Sequence, residues 1–136
     1  MLRKLAITLL MGASLMGPSV ARDYGQWTDT DPETKSWYEH LMQPDVPNAP
    51  CCGEADAYWC DGLKTKTDYY GNKTNWCIVD DPRDNVALHR FPIPSGTEIQ
   101  IPDNKLTYKD GNPTGHAIVF LSSALYVYCY VQNGGV

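Results

Sequence analysis

The chain has 136 residues, with sixteen acidic side chains against eleven basic ones and a formal net charge of −5. Without a basic stripe to release counterions from a phosphate backbone, nucleic acid is not an expected partner, and adhesion to an anionic membrane surface is disfavoured for the same reason. The excess of acid suits solubility.

Residues 1–21 read as an export leader. Arg3 and Lys4 form a short positive start, and Leu5 to Met16 is an apolar core short for a bilayer span. Pro18 breaks that core, and Ser19-Val20-Ala21 supplies the small residues a signal peptidase reads, so cleavage is expected after Ala21. The leader has no Cys for acylation, and no later apolar run is long enough to cross a membrane. The expected product is periplasmic or secreted, with no membrane span and no lipid anchor. Losing Arg3 and Lys4 leaves nine basic side chains against sixteen acidic, a net −7. Residues 22–136 are then one small domain.

Asp31-Pro32-Glu33 is a helix start, with Asp as N-cap, Pro at the first helical position and Glu near the positive end of the dipole. The helix is expected to carry PETKSWYEHLMQ and to stop before Pro44, with Trp37 and Leu41 on its packing face, Tyr38 and Met42 beside them. Three prolines in residues 44–50 forbid helix and favour an extended run. Residues 55–63 and 75–79 are apolar-aromatic runs flanking the polar KTKTDYYGNKT, which reads as a long hairpin or meander. Residues 80–85 read as a loop, Phe91-Pro-Ile-Pro94 as extended non-strand, and Thr97 to Ile101 as a strand. A turn over 109–115 leads into two stronger strands, His116 to Leu121 and Leu125 to Gln132. Strict alternation in the last one puts Leu125, Val127, Cys129 and Val131 on one face and Tyr126, Tyr128 and Tyr130 on the other. The expected fold is mainly β (α+β): an N-terminal helix packed on a small antiparallel sheet or barrel, stapled by disulfides.

Five cysteines enter an oxidising compartment in this reading: Cys51, Cys52, Cys60, Cys77 and Cys129. Adjacent cysteines rarely bond each other, so Cys51 and Cys52 point different ways. Cys60 and Cys77 would face each other across the hairpin. Cys129 then pairs with Cys51 or Cys52 and closes a loop of about 80 residues. The odd thiol is free or intermolecular, and as an intermolecular link it would make the chain a cross-linked envelope subunit. No C-x-x-C pair or His at ligand-like spacing marks a zinc or haem site, so neither metal nor cofactor is expected.

Two constellations bear on chemistry. A thiol at Cys52, followed by Gly53, with His116 as base, is the arrangement a thiol enzyme or redox protein would need. The plainer reading makes Cys-Cys-Gly a disulfide anchor, with His116 opening a strand beside the GNPTG turn. His40 lies where a helix dipole favours a cation and reads as a cap. His89 carries no further signal. Asp29-Thr-Asp31-Pro-Glu33 has half a calcium-loop pattern but lacks its Gly and terminal Glu. Asp80-Asp81-Pro-Arg-Asp84 reads as a solvated acidic turn with a weak calcium alternative. Glu54 and Asp56 are too close in sequence to establish a glycosidase pair. Nine Tyr and four Trp against two Phe suit a half-wet binding surface, with Tyr126, Tyr128 and Tyr130 as the candidate platform.

Several strings carry a resemblance: Cys51-Cys52-Gly-Glu-Ala-Asp-Ala-Tyr58, Gly96-Thr-Glu-Ile-Gln-Ile-Pro102 with Asn104-Lys105-Leu106, Gly111-Asn-Pro-Thr-Gly-His116, Tyr128-Cys-Tyr-Val131 and the Gly134-Gly-Val136 tail, with Trp37-Tyr-Glu-His-Leu41 ahead of them. Together they resemble a family of small exported proteins, mostly alphaproteobacterial. The resemblance implies export, a bacterial source and a single domain, and it brings no catalytic residues. The expected role is a disulfide-stabilised binding or structural domain of the bacterial envelope, for a protein, glycan or small ligand, with thiol chemistry at Cys51/Cys52 and His116 as the alternative.

Overall fold

The computed structural model describes residues 30–107 and 111–134. The leader, its cleavage point and Asp29 lie outside the described residues, as does part of the turn expected over 109–115. Helix α1 spans Pro32–His40. Asp31 caps it by accepting the Thr34 N–H at 2.9 Å, with Pro32 in the first turn. It ends at His40 rather than Gln43 because Leu41 turns extended and accepts the Cys51 N–H at 2.8 Å, while the Gln43 N–H donates to the Ala49 carbonyl at 2.8 Å. The proline-rich segment thus doubles back on the helix end, and Tyr38 and Leu41 are buried against the larger sheet.

Seven strands follow: β1 Asp56–Cys60, β2 Lys64–Thr67, β3 Lys73–Ile78, β4 Glu98–Ile101, β5 Leu106–Thr107, β6 Ala117–Leu121 and β7 Val127–Val131. They form a four-stranded sheet, ordered β1-β6-β7-β5, and a three-stranded sheet, ordered β2-β3-β4. Among the described residues the fold is mainly β with one α-helix. The larger sheet is mixed, because β5 runs parallel to β7.

The expected hairpin is corrected in its pairing. β3 pairs with β2, the KTKT run assigned above to the connection, while β1 pairs with β6. The turn does fall at Asp68–Gly71, where Asp68 Oδ1 accepts the N–H groups of Tyr70 and Asn72. Gly71 stands there at φ +84°, which a side chain would strain. Just past the end of β3, Val79 forms an antiparallel bridge with Cys60 of β1, and the Asp61 and Asp80 amides extend that seam to Ile78 and Trp59. This seam joins the two sheets.

Two apolar clusters fill the domain. The first draws on both sheets: Tyr58, Cys60, Cys77, Val79, Ile99, Ile101, Val119, Leu121, Val127 and Tyr130. The second lies on the other face of the larger sheet, where Tyr38, Leu41, Cys51 and Cys52 cover Ile118, Phe120, Cys129 and Val131. β6 is therefore buried on both faces along its whole length. A disulfide joins Cys51 to Cys129 across a sequence separation of 78. The chain-entropy model credits a loop of that size with about 4–5 kcal/mol.

The tyrosine face is a correction. Leu121 pairs with Val127 and Phe120 with Cys129, so Tyr128 is an extra residue, a β-bulge that shifts the alternation by one. Before the bulge Val127 faces the inter-sheet core; after it Tyr130 does. Tyr130 is 1% exposed and belongs to the core, leaving only Tyr126 and Tyr128 near solvent.

Candidate functional site

Ser122 builds the exposed end of the larger sheet. Its Oγ accepts the amides of Ala124 and Tyr126, and its carbonyl accepts the Leu125 N–H. This turn holds Leu125 at φ +63°, a left-handed conformation that costs a branched residue about 1–2 kcal/mol. It presents Leu125 and Tyr126 to solvent, Tyr126 at 55% exposure. The Tyr126 ring meets that of Tyr128 edge to face, centroids 4.9 Å apart. Tyr128 OH donates to Glu54 Oε2 at 3.3 Å. Its phenol is raised above the ordinary value, first by partial burial and then by the Glu54 charge.

On the other side of Tyr126 stands Lys105, from the short 3₁₀ turn Asp103–Lys105. It is 4% exposed, yet its Nζ lies 5.5 Å from the Tyr126 ring centroid and reaches both Asp45 oxygens at 2.8 and 2.9 Å. Burial works against the charged lysine, but the Asp45 contact outweighs it and raises Lys105 above its usual value. Gln43 Oε1 accepts a further bond at 3.4 Å, and Asn104 Nδ2 donates to Asp45 at 3.4 Å. Two tyrosines, a fixed cation and two carboxylates thus share one edge. The sequence pointed to Tyr126 and Tyr128 but not to Asp45 or Lys105, because their pairing spans about 60 residues and leaves no local pattern.

A second cluster occupies the loop after β3. Asp81 is no solvated turn residue: its side chain is 1% exposed and accepts from Arg90 and Arg83, each at 2.7 Å, and from the Trp59 N–H at 2.9 Å. Burial would raise its carboxyl, but those donors outweigh burial and hold it far below the usual carboxylate range. Arg90 also donates to the Ala57 carbonyl at 2.8 Å and lies over the Tyr58 ring. Arg83 lies 4.1 Å from the Trp59 ring, and His116 stacks on the same indole at 3.7 Å, 8° from parallel. Trp59 Nε1 is buried without a hydrogen-bond partner among the described residues.

The remaining candidates fall as follows. Cys51 is bonded to Cys129, and Cys52, Cys60 and Cys77 are buried thiols. Cys52 faces the Tyr38 carbonyl at 3.7 Å, and burial, with Asp56 nearby, pushes it up to about 12. That is opposite to the direction a nucleophile needs. His116 is engaged with Trp59, and its backbone is clasped by the turn before it. Its N–H donates to Thr114 Oγ1, and its carbonyl accepts from Asn112 Nδ2 at 2.7 Å. Asn112 Nδ2 also reaches the Gln132 carbonyl at 3.0 Å, and a Cβ at Gly134 would come within 3.0 Å of the Asn112 carbonyl oxygen. The GNPTGH string and Gly134 of the tail are thus one packed corner. His40 Nδ1 lies 2.7 Å from the Ser36 carbonyl, as a cap. His89 is exposed at φ +50°. Among the described residues, no group of three His, Cys, Asp or Glu side chains converges as a metal site requires. Tyr69 and Tyr70, 96% and 85% exposed at the hairpin tip, were not singled out by sequence.

No helix of the described residues is long and apolar enough to cross a membrane. Comparison with family models, with curated proteins and with solved structures finds no match to the chain.

Proposed function

We propose that the chain is an exported, disulfide-stabilised binding domain of the bacterial envelope, and that it recognises glycan through the edge formed by Tyr126, Tyr128, Glu54, Lys105 and Asp45. Export and a bacterial source rest on the leader and on the family resemblance. The observation that carries the binding reading is the exposed Tyr126–Tyr128 pair set between an acid–tyrosine contact and a buried lysine–aspartate pair. Ring faces accept the C–H surface of a sugar, the Glu54 and Asp45 carboxylates meet its hydroxyls, and buried Lys105 holds Asp45 in place. The strained Leu125 backbone beneath Tyr126 supports the same reading, since strain of this kind concentrates at ligand clamps.

The alternative, a thiol-dependent enzyme or redox protein using Cys51/Cys52 with His116, has less support. Cys51 is bonded, Cys52 is buried with a raised pKa, and His116 is stacked on Trp59.

Co-sedimentation with purified peptidoglycan sacculi tests the binding reading. The native protein pellets with sacculi, and Tyr126→Ser combined with Glu54→Gln abolishes pelleting while the melting temperature holds. A double variant that pellets like the native protein, or a native protein that stays in solution, overturns it.

A further inference from the structure

Two of the three free thiols are neighbours. Cys60 closes β1 and Cys77 stands in β3, on strands that meet at the Cys60–Val79 bridge and run antiparallel from it. Asp61 opposite Ile78 continues that seam, which sets Cys77 diagonally across from Cys60. Both side chains point into the inter-sheet core, Cys77 fully buried and Cys60 at 7% exposure, and the Cys60 thiol is near enough to raise the Cys77 pKa. Cys52 is held apart from them, in the cluster beneath helix α1.

We propose that Cys60 and Cys77 are joined in the exported protein by a second disulfide, formed during folding before the two sheets close. Diagonal neighbours on antiparallel strands stand about 7–8 Å apart, just beyond the usual disulfide span, so closing the bond draws the two strands together by about 1 Å at the seam that joins the sheets. Its formation needs a disulfide-bearing oxidant, such as glutathione disulfide or an oxidoreductase's disulfide. The Cys60 thiolate attacks that disulfide and forms a mixed disulfide, releasing one thiol of the oxidant. The Cys77 thiolate then attacks the Cys60 sulfur and releases the second. Two protons pass to water, and the oxidant leaves reduced by two electrons. Timing follows from burial. In the folded chain the Cys60 contact and burial together drive the Cys77 thiol far above its ordinary value, and a small oxidant has no path to a fully buried sulfur. The bond is therefore set by the compartment in which the chain folds, and it is not a switch of the folded molecule.

The test uses the full chain, reduced and unfolded, then refolded with a reduced and oxidised glutathione mixture. N-ethylmaleimide is added in denaturant, and peptides are mapped with trypsin plus a protease that cuts at Glu54 or Asp56, which separates Cys52 from Cys60. The expected result is one maleimide, on Cys52, a Cys60–Cys77 linked peptide, and a melting temperature roughly 10 °C above that of protein carrying the Cys51–Cys129 bond alone. Maleimide on both Cys60 and Cys77, or either one linked to Cys52, overturns the proposal, and Cys52→Ala excludes reshuffling as the source of the expected bond. In a second arm, protein folded as the dithiol is given glutathione disulfide without denaturant. It stays dithiol over hours, and closure within minutes would overturn the inference that the bond forms before burial.

Discussion

Asp81 and Arg90 form an ion pair from which water is almost excluded: their side chains are 1% and 3% exposed, and Oδ2 and Nη1 lie 2.7 Å apart. The pair ties the loop after β3 to β1 through the Trp59 amide and the Ala57 carbonyl. Asp81→Ala strands a buried guanidinium, which costs about 3–5 kcal/mol. Arg83→Ala costs less, because Arg83 is 28% exposed and water replaces its carboxylate contact. Urea unfolding midpoints of the two variants check the order, and equal losses would mean that the neutral acceptors around Arg90 suffice for its charge without Asp81.

Acid should unfold the domain through the same carboxylate. Asp81 is depressed in the folded state, so the unfolded chain takes up its proton first. Its contribution is complete above the unfolded value of about 3.9 and is lost as pH falls through the lower folded value. Asp61 and Asp68 are depressed too and act with the same sign. Unfolding free energy measured from pH 7 to pH 3 should be flat to about pH 5 and then fall, with a shallower fall in Asp81→Asn.

The bulge at Tyr128 makes two neighbouring tyrosines behave differently. Tyr130→Ser opens a cavity in the inter-sheet core and costs about 3–5 kcal/mol. Tyr126→Ser, at an exposed ring, changes stability by no more than about 0.5 kcal/mol. Thermal melts of the two variants side by side measure the difference, and similar losses would mean that the ring of Tyr126 is also core.

Asn112 joins two carbonyls and receives two donors, from the Thr114 N–H at 3.0 Å and its hydroxyl at 2.7 Å. Asn112→Ala leaves those groups unpaired and costs about 1–3 kcal/mol. Amide hydrogen exchange should rise at Thr114 and His116 without change at the β2–β3 hairpin.

The Cys52 thiol should resist reagents. Burial pushes it up to about 12, so iodoacetamide at pH 8 leaves it unmodified in the native protein and modifies it once urea is added. Alkylation at the native stage would revive the thiol-enzyme reading.

The helix start at Asp31 was readable because its capping chemistry is local, and the β character of the chain was readable from its alternation. The helix end was not, because a long-range bond from Cys51 to Leu41 stops it. Strand β2 escaped notice because all four of its residues are exposed, so no apolar period marks it. The last strand looked regular throughout, and a bulge has no signature in an unbroken run of apolar and aromatic residues. Asp81 looked like any acid in a loop, since a sequence gives no sign of two arginines folding back onto it.

The Cys51–Cys129 bridge also orders events in time. A chain that emerges N-terminus first presents Cys51, Cys52, Cys60 and Cys77 before Cys129 exists to be paired. Strand β1 waits too, because its partner β6 begins only at Ala117, whereas the β2–β3–β4 meander is complete by Ile101. The native bridge therefore marks the emergence of the chain through Cys129. A chain halted ahead of Val127 would lose the bridge, strand β7 and part of the floor on which helix α1 rests, all in one stroke.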